Sequence, residues 1–429
     1  MLESELGFDT LMIHAGQSPD SDTLSVAAPI FQTTAYAFKS VEHAKSLFEL
    51  KEGGNIYTRL QNPTNDVLEK RVAALDGGIG ALATASGHSA MLMTFATLCS
   101  AGDEIVSSIC IYGGAINMMG LSLKKLGIVV HFVDPDDFDA WESAVTPRTK
   151  AFFAEGVGNP NANVADIENI AAIAHRHGIP LIIDSTFTTP YLLKPAKWGA
   201  DLIIHSATKF LGGHGTSMCG IVVDIGSFEW LGNPRFPDFN EPDPGYHGLV
   251  YAKEFGRQAF IAKLRVSTMR DYGACASPFN SFMILQGIET LSLRMRKHCD
   301  NTLEIARFLK GSPNVDFVNY PALEDDKYYA LAQKYLPLGC GGVFTFGLKG
   351  GRDTGARFID SLRLFMNVAN VGDVRSLVIH PATTTHSQLS DQQLAASGIA
   401  PATIRLSVGL EDVNDLISDL DQAMKNAEK

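Results

Sequence analysis

The sequence has no pair of cysteines at CxxC spacing. Its six cysteines (Cys99, Cys110, Cys219, Cys275, Cys299, Cys340) are scattered, several in apolar context. That argues against a disulfide frame or a zinc site and for buried free thiols in a reducing compartment. Basic residues are in the minority: 35 Lys and Arg stand against 47 Asp and Glu, a formal net charge of -12. With no basic stripe, this balance speaks against nucleic acid or an anionic membrane as partner, while leaving room for a local anion site. No apolar run reaches the roughly 18 residues needed to span a bilayer. The first residues include Glu3, Glu5 and Asp9, with no cationic start leading into an apolar core, so no secretory signal is expected. No internal repeat or low-complexity tract is evident. A soluble, cytoplasmic protein is expected.

What is present is apolar substance and alternation. With 45% hydrophobic and 19% charged residues over 429 positions, the chain can bury a large core, and its length predicts two or three domains. Residues 1 to about 63 show little periodicity but display Tyr57 and Arg59 between glycine and proline turns, as an arm or lid would. Helical spacing runs from Thr64 to Leu75. Strands are then predicted at Ala81–Thr84, Glu104–Ser108, Ile128–Val133, Ala151–Ala154, Pro180–Asp184, Ala200–His205 and Gly220–Asp224, with helical segments between several of them. Strands alternating with helices predict a mainly parallel sheet covered on both faces. Residues 226–251, rich in proline and aromatics, read as a long ordered loop or insertion. One long bent helix is expected from Phe279 to Phe308. Short strands (Val343–Gly347, Thr403–Val408) and helices (Thr354–Leu362, Val413–Lys425) then predict a smaller α+β C-terminal region.

Chemistry gathers at the carboxyl ends of the predicted strands, where open α/β sheets place their ligands. Leu202-Ile-Ile204 leads through His205 to Ser206, Thr208 and Lys209, followed by glycines. A lysine on a strand end among hydroxyls is a candidate Schiff-base lysine; an ordinary surface lysine fits the same stretch. Asp184 ends the preceding strand. A buried carboxylate needs a cation, which Lys209 itself or a protonated pyridine nitrogen could supply. Ser86-Gly87-His88 opens a helix straight after a strand and makes an anion site from free helix-start amides. That stretch is neither GxGxxG nor a P-loop, so no nucleotide is implied. Tyr112 could stack on a ring or belong to the core. Lysine, acid and anion cradle on one sheet edge are the three things pyridoxal phosphate asks of a protein.

Seven stretches in order carry a resemblance: Tyr57-Thr-Arg59 with Asn62-Pro-Thr, Ser86-Gly87, Tyr112-Gly-Gly, Glu155 with Asn159-Pro, Asp184-Ser-Thr, Ser206-Ala-Thr-Lys209 and Ile404-Arg405-Leu-Ser. Through them the chain resembles, over nearly its whole length, the cystathionine gamma-synthase-like family of Cys/Met metabolism enzymes. The resemblance implies pyridoxal 5'-phosphate as cofactor and the fold of pyridoxal-phosphate transferases of fold type I: a mainly parallel seven-stranded sheet with helices on both faces, plus a smaller α+β C-terminal domain. It implies an N-terminal arm (1–63) contacting a neighbouring subunit, a cofactor-binding domain (64–265) and a C-terminal domain (266–429).

By the same resemblance Lys209 holds the cofactor and moves protons, with Tyr112 and Tyr57 completing the catalytic set. Asp184 pairs with the pyridine nitrogen, Tyr112 stacks on the ring, and Asn159 contacts the ring hydroxyl. Ser86, Gly87, His88, Ser206 and Thr208 hold the phosphate, joined by Tyr57 and Arg59 of a neighbouring subunit. Arg405, with backbone near Ser376, binds the substrate α-carboxylate; its fork suits a carboxylate. The assembly implied is a homotetramer, a dimer of dimers with shared active sites and small-molecule substrates only.

Asp271-Tyr-Gly-Ala, Ser277-Pro-Phe-Asn, Gly287 to Met295, Glu241-Pro-Asp-Pro and His380 to His386 are similar to the members that replace the acetoxy group of O-acetyl-L-homoserine by sulfide or methanethiol. Cystathionine γ-synthase, the methionine and cystathionine γ-lyases, and a non-catalytic member stay open as alternatives. Two departures lie near the cofactor: Glu155-Gly-Val-Gly where many relatives have Glu-Ser-Pro, and His88 where Gln or Met is frequent.

Overall fold

The computed structural model describes residues 6–381, 384 and 400–427. Two sheets dominate them. The larger has seven strands: β1 (Gly80–Thr84), β2 (Glu104–Ser108), β3 (Val129–Val133), β4 (Thr149–Glu155), β5 (Leu181–Asp184), β6 (Leu202–Ser206) and β7 (Gly220–Asp224), in the order β1-β7-β6-β5-β4-β2-β3. The pairs from β3 to β6 are parallel and β7 alone runs against its neighbours. The smaller sheet holds β8 (Val315–Asn319), β9 (Val343–Leu348), β10 (Met366–Asn367), β11 (Leu377–Ile379) and β12 (Thr403–Ser407), in the order β10-β11-β12-β9-β8.

The continuous apolar strands follow from burial on both faces. Successive side chains point to opposite sides, and the two cores divide accordingly. Phe152, Ala154, Leu181, Ile183 and Ile203 join one core, while Ala151, Phe153, Ile182, Leu202 and Ile204 join the other. The first core continues without a break into Phe344, Phe346, Ile404 and Leu406 of the small sheet. The two sheets are therefore tied through one packed interior, and the cleft between them has rigid walls.

Among the described residues five α-helices precede β3: α1 (Phe8–His14), α2 (Val41–Phe48), α3 (Pro63–Asp76), α4 (Gly87–Leu98) and α5 (Gly113–Asn117), the last running on into a π-helical stretch, Met118–Leu123. α3 starts where Asn62 accepts the N–H of Thr64 at 2.9 Å and Pro63 takes the first position, a favourable N-terminus. α4 starts where the Ser86 hydroxyl accepts the Ser89 N–H at 3.1 Å.

Several expectations change. Within residues 1–63, where little periodicity was visible, α1 buries Met12 and packs on α3; seven residues are too few to show a period. The single helix expected over 279–308 is two, Pro278–Ile288 and Leu291–Lys310, broken at Glu289-Thr290. Residues 226–251, by contrast, are ordered as expected: Trp230 stacks on Phe239 and Phe260 at 4.6 and 5.7 Å between centroids, and Arg235 donates to the carbonyls of His177, Thr146 and Thr149. Strands β8, β10 and β11 and a helix at Tyr329–Tyr335 were not expected.

Candidate active site

A cavity of about 280 Å³ opens between the carboxyl edge of the large sheet and the face of the small one. Each strand end delivers one group. β5 ends in Asp184, and its register partner on β4 is Glu155. β6 ends in Ser206, and the turn after it carries Thr208 and Lys209, closed by the Lys209 N–H on the Ser206 carbonyl at 3.0 Å. Ser86, Gly87 and His88 bring the start of α4 into the wall, and Tyr112, just before α5, brings an aromatic. From the small sheet come Arg405 on β12 and the segment Ala369-Asn370-Val371.

The start of α4 lies tight against the end of β6. A Cβ on Gly87 would fall 2.6 Å from Cβ of Ser206, so only glycine lets free helix-start amides lie beside the Ser206 and Thr208 hydroxyls. A helix N-terminus with hydroxyls at its side is an anion cradle. The Thr208 hydroxyl also accepts the Cys219 N–H at 3.0 Å. The His88 ring meets the Tyr112 ring edge-on, 5.7 Å between centroids at 84°.

The electrostatics separate two groups of charge. Burial raises the Asp184 carboxyl above its ordinary range; hydrogen bonds from Thr186 oppose this, as do His205 and His88 nearby. The Thr186 N–H reaches Asp184 Oδ1 at 2.8 Å. The alternative of a plain ion pair with Lys209 is not formed: the Lys209 amine donates instead to Oδ1 of Asn370. Burial, and then the Arg405 cation, push the Lys209 amine below its ordinary value. Arg405 is itself lowered to about 10 by desolvation. Its Nη1 donates to Asn159 Oδ1 at 3.2 Å and its Nη2 to the Asn370 carbonyl at 3.4 Å.

Pyridoxal phosphate fits these residues on three observations. Asp184 is a desolvated carboxyl that, among the described residues, has no ion-pair partner. The Gly87–Ser206 approach shapes a cradle that a Cβ would fill. The Lys209 amine is held below its ordinary value inside the same cavity.

Other expected residues lie elsewhere. Tyr57 and Arg59 do not line the cavity of their own chain. Tyr57 is exposed, and the Arg59 guanidinium sits over the Tyr57 ring at 5.4 Å and donates to the Arg270 carbonyl at 2.9 Å. Ser376 requires a correction. It is fully buried and outside the cavity: its N–H and hydroxyl bond to Glu411 at 2.6 and 2.9 Å, and its carbonyl accepts the Met366 N–H. No group is left for a ligand, and the backbone near Arg405 is that of Asn370. Of the motif His380 to His386, positions 382, 383, 385 and 386 lie outside the described residues.

Asn370 and Arg294 were missed. Buried Arg294 donates to the carbonyls of Phe210, Leu211 and Gly287 at 2.8, 3.1 and 2.8 Å, pinning the turn that follows Lys209. Two arginines within three positions marked the helix; the helical spacing of Leu291, Met295, Cys299, Ile305 and Leu309 was the signal that puts Arg294, and not Arg296, beside the apolar face.

Comparison with known proteins agrees with this geometry. The family model described as "Cys/Met metabolism PLP-dependent enzyme" matches residues 9–425. An O-acetyl-L-homoserine sulfhydrylase from Leptospira meyeri is 51% identical over 427 residues, covering 97% of this chain and 96% of that one. O-acetyl-L-homoserine sulfhydrylase 1 from Thermus thermophilus is 50% identical over 97% of this chain and 99% of that one. A crystal structure from Campylobacter jejuni, described as an O-acetylhomoserine (thiol)-lyase with N'-pyridoxyl-lysine-5'-monophosphate, superposes with a TM-score of 0.94 at 41% identity, covering 98% of this chain and all of that one.

Proposed function

The chain belongs to the Cys/Met metabolism PLP-dependent enzymes, and on that premise we propose that it replaces the acetoxy group of O-acetyl-L-homoserine by sulfide, or by methanethiol. O-acetyl-L-homoserine and hydrogen sulfide give L-homocysteine and acetate: the Cγ–O bond breaks, a Cγ–S bond forms, and acetate leaves with the electron pair. The observation that carries this is the convergence of Lys209, Asp184 and Arg405 on one cavity. Relatives of that activity at about half identity over the whole length support it.

When bound, pyridoxal phosphate supplies an electron sink that makes the amino acid's α and then β hydrogens acidic. The chain's residues supply the rest. Gly87 and His88 amides with the Ser206 and Thr208 hydroxyls hold the phosphate. Asp184 holds a proton on the pyridine nitrogen, and this cation meets the need of a desolvated carboxylate. Tyr112 would stack on the ring and Asn159 would contact its hydroxyl. Arg405 takes the α-carboxylate of the substrate in its fork. The Lys209 amine, lowered by burial and by Arg405, is free base at a lower pH than an ordinary lysine, so it can take the α proton and return one later.

We extend the proposal to a cytoplasmic homotetramer in which Tyr57 and Arg59 serve the neighbouring subunit's phosphate. Their exposure and their absence from the lining of their own cavity support this, as do six unpaired cysteines for the compartment. The test incubates the protein with O-acetyl-L-homoserine and sulfide, with cysteine, or without a thiol. L-homocysteine with equimolar acetate is expected, and its loss in Lys209→Ala. Cystathionine from the second arm alone, or an oxo acid and ammonia from the third alone, would replace this assignment by a synthase or a lyase.

A further inference from the structure

Glu155 is a second acid beside Asp184, and the reaction gives it no proton to carry. Its side chain is buried at the end of β4. Among the described residues no lysine, arginine or histidine forms an ion pair with it. Burial, and then the neighbouring Asp184, hold its carboxyl well above the usual carboxylate range, against the N–H groups of Tyr112 and Asn159. Two acids buried side by side are costly unless hydrogen bonds satisfy them. The partners of Glu155 are these backbone N–H groups, one in each of the two loops that wall the cavity; the Tyr112 N–H lies 2.7 Å from Oε1.

The two loops are pressed together to allow this. A Cβ on Gly158 would lie 2.5 Å from the Cys110 carbonyl oxygen and 2.3 Å from Oδ1 of Asn163, so Gly158 is the residue that lets the 155–159 loop approach the 110–112 loop. The Tyr112 ring is exposed, and its residue precedes a helix of only five. Its backbone is fixed at the carbonyl by the Ala115 and Ile116 N–H groups and at the N–H by Glu155.

We infer, on the footing that Tyr112 stacks on the cofactor ring, that Glu155 is a positioning residue whose carboxyl clamps the Tyr112 and Asn159 loops together and so sets the angle of the Tyr112 ring. A hydrogen-bond acceptor is what this role needs; a negative charge is not.

The test compares Glu155→Ala with Glu155→Gln, whose amide oxygen still accepts, by the dissociation constant of pyridoxal 5'-phosphate added to the apo-protein, by the visible circular dichroism of the holoenzyme, and by kcat. Glu155→Ala is expected to raise the dissociation constant about tenfold, the scale of one lost hydrogen bond to an ionisable group, and to flatten the dichroic band. Glu155→Gln should stay within about threefold of the parent. In a Tyr112→Ala background, Glu155→Ala should cost little more, because the two act through one contact. Equal losses in Glu155→Ala and Glu155→Gln, fully additive losses with Tyr112→Ala, or no loss in Glu155→Ala would each overturn the inference alone. No change in Tyr112→Ala would overturn the stacking role and the inference with it. If Glu155→Ala does not fold, Gly158→Ala, which pushes the loops apart, takes its place and should give the same signature; a parent-like dissociation constant and band would count against the clamp.

Discussion

Arg405 and Arg294 are two guanidinium groups beside the Lys209 segment, both lowered to about 10 by desolvation, and among the described residues neither forms an ion pair with a carboxylate. They differ in how their donors are used. Arg294 is buried and gives three hydrogen bonds of 2.8–3.1 Å to carbonyls of the turn after Lys209 and of Gly287. Arg405 is half-buried on the cavity wall, with only two long contacts, 3.2 and 3.4 Å, to Asn159 and Asn370. A cation whose donors are satisfied by carbonyls is part of the scaffold. A cation that is desolvated and left under-bonded waits for an anion, and a carboxylate is what its fork matches. The shared desolvation shift does not tell the two apart; the hydrogen-bond inventory does.

The largest effect is expected at Arg405. Arg405→Leu should lower kcat/KM for O-acetyl-L-homoserine on the order of 10²–10³-fold, as for removal of one partner of a desolvated charge pair. Its Tm should stay level or rise, because an under-bonded buried cation is gone. A loss of less than about tenfold would strip Arg405 of its assigned role. Arg294→Met should reverse the pattern. Leaving three buried carbonyls without their donor costs about 3 kcal/mol, read as a fall of several degrees in Tm, while KM of the folded holoenzyme holds. Arg294→Lys should recover only part, since an ammonium cannot reproduce the fork. If the two arginines gave the same split between Tm and KM, the distinction drawn from their hydrogen bonds would fail.

The same contrast shows what the sequence could carry. The inner strands of the large sheet were visible as short runs because both faces are buried, the half-exposed edge strand β3 was visible from its β-branched and apolar residues alone, and each run ends within a few residues of where it was expected. Lys209 and Asp184 could be placed because they directly follow or end such runs. Arg405 came only through resemblance to a family, since a lone arginine in a strand says nothing of what it faces. Asn370 and Arg294 act on the Lys209 segment across 161 and 84 residues of sequence; Asn370 lies in a segment without a period, and the helical period around Arg294 shows a buried face but not what that face packs on. The Ser376 error has a local cause. From Gly372 to Ser376 the chain leaves the cavity and goes under Glu411, so the six positions separating Asn370 from Ser376 take the backbone from the wall into the core. β10, with two residues, is too short for any pattern.

A smaller effect follows from His298, on the same helix as Arg294. It is fully buried; Nδ1 bonds to the Val408 carbonyl at 2.6 Å and the ring lies edge-on to Phe210. Burial pushes it down to about 4, with Arg294 adding to the shift and the Val408 bond and Asp373 opposing it. The sign follows from the lowered value. Between pH 4 and the ordinary 6.5 the unfolded chain binds a proton that the folded one refuses, so this group's contribution to stability is intact above about 6.5 and is lost as pH falls toward 4. Between pH 7 and pH 5 the parent should lose about 2 kcal/mol more than His298→Gln in denaturant titrations. An Arg294→Met background should shrink that difference. An identical pH dependence in parent and His298→Gln would show that burial does not hold this histidine below its ordinary value.

The smallest effect belongs to Arg296, two residues beyond Arg294 on the same helix. It is exposed, donates to the Tyr191 hydroxyl at 2.7 Å and pairs with Asp9 at 3.3 Å. It therefore has a carboxylate partner, which Arg294 lacks, yet its substitution should matter far less. An exposed pair gains little Coulomb energy in water, pays side-chain entropy and is screened by salt. Arg296→Ala should lower Tm by no more than about one degree at low ionic strength, and by less at 0.5 M salt. A Tm loss rivalling that of Arg294→Met would mean that the Asp9 contact, by tying α1 to this helix, matters more than the three buried carbonyl bonds, and would invert the order in which desolvated and exposed cations have been placed.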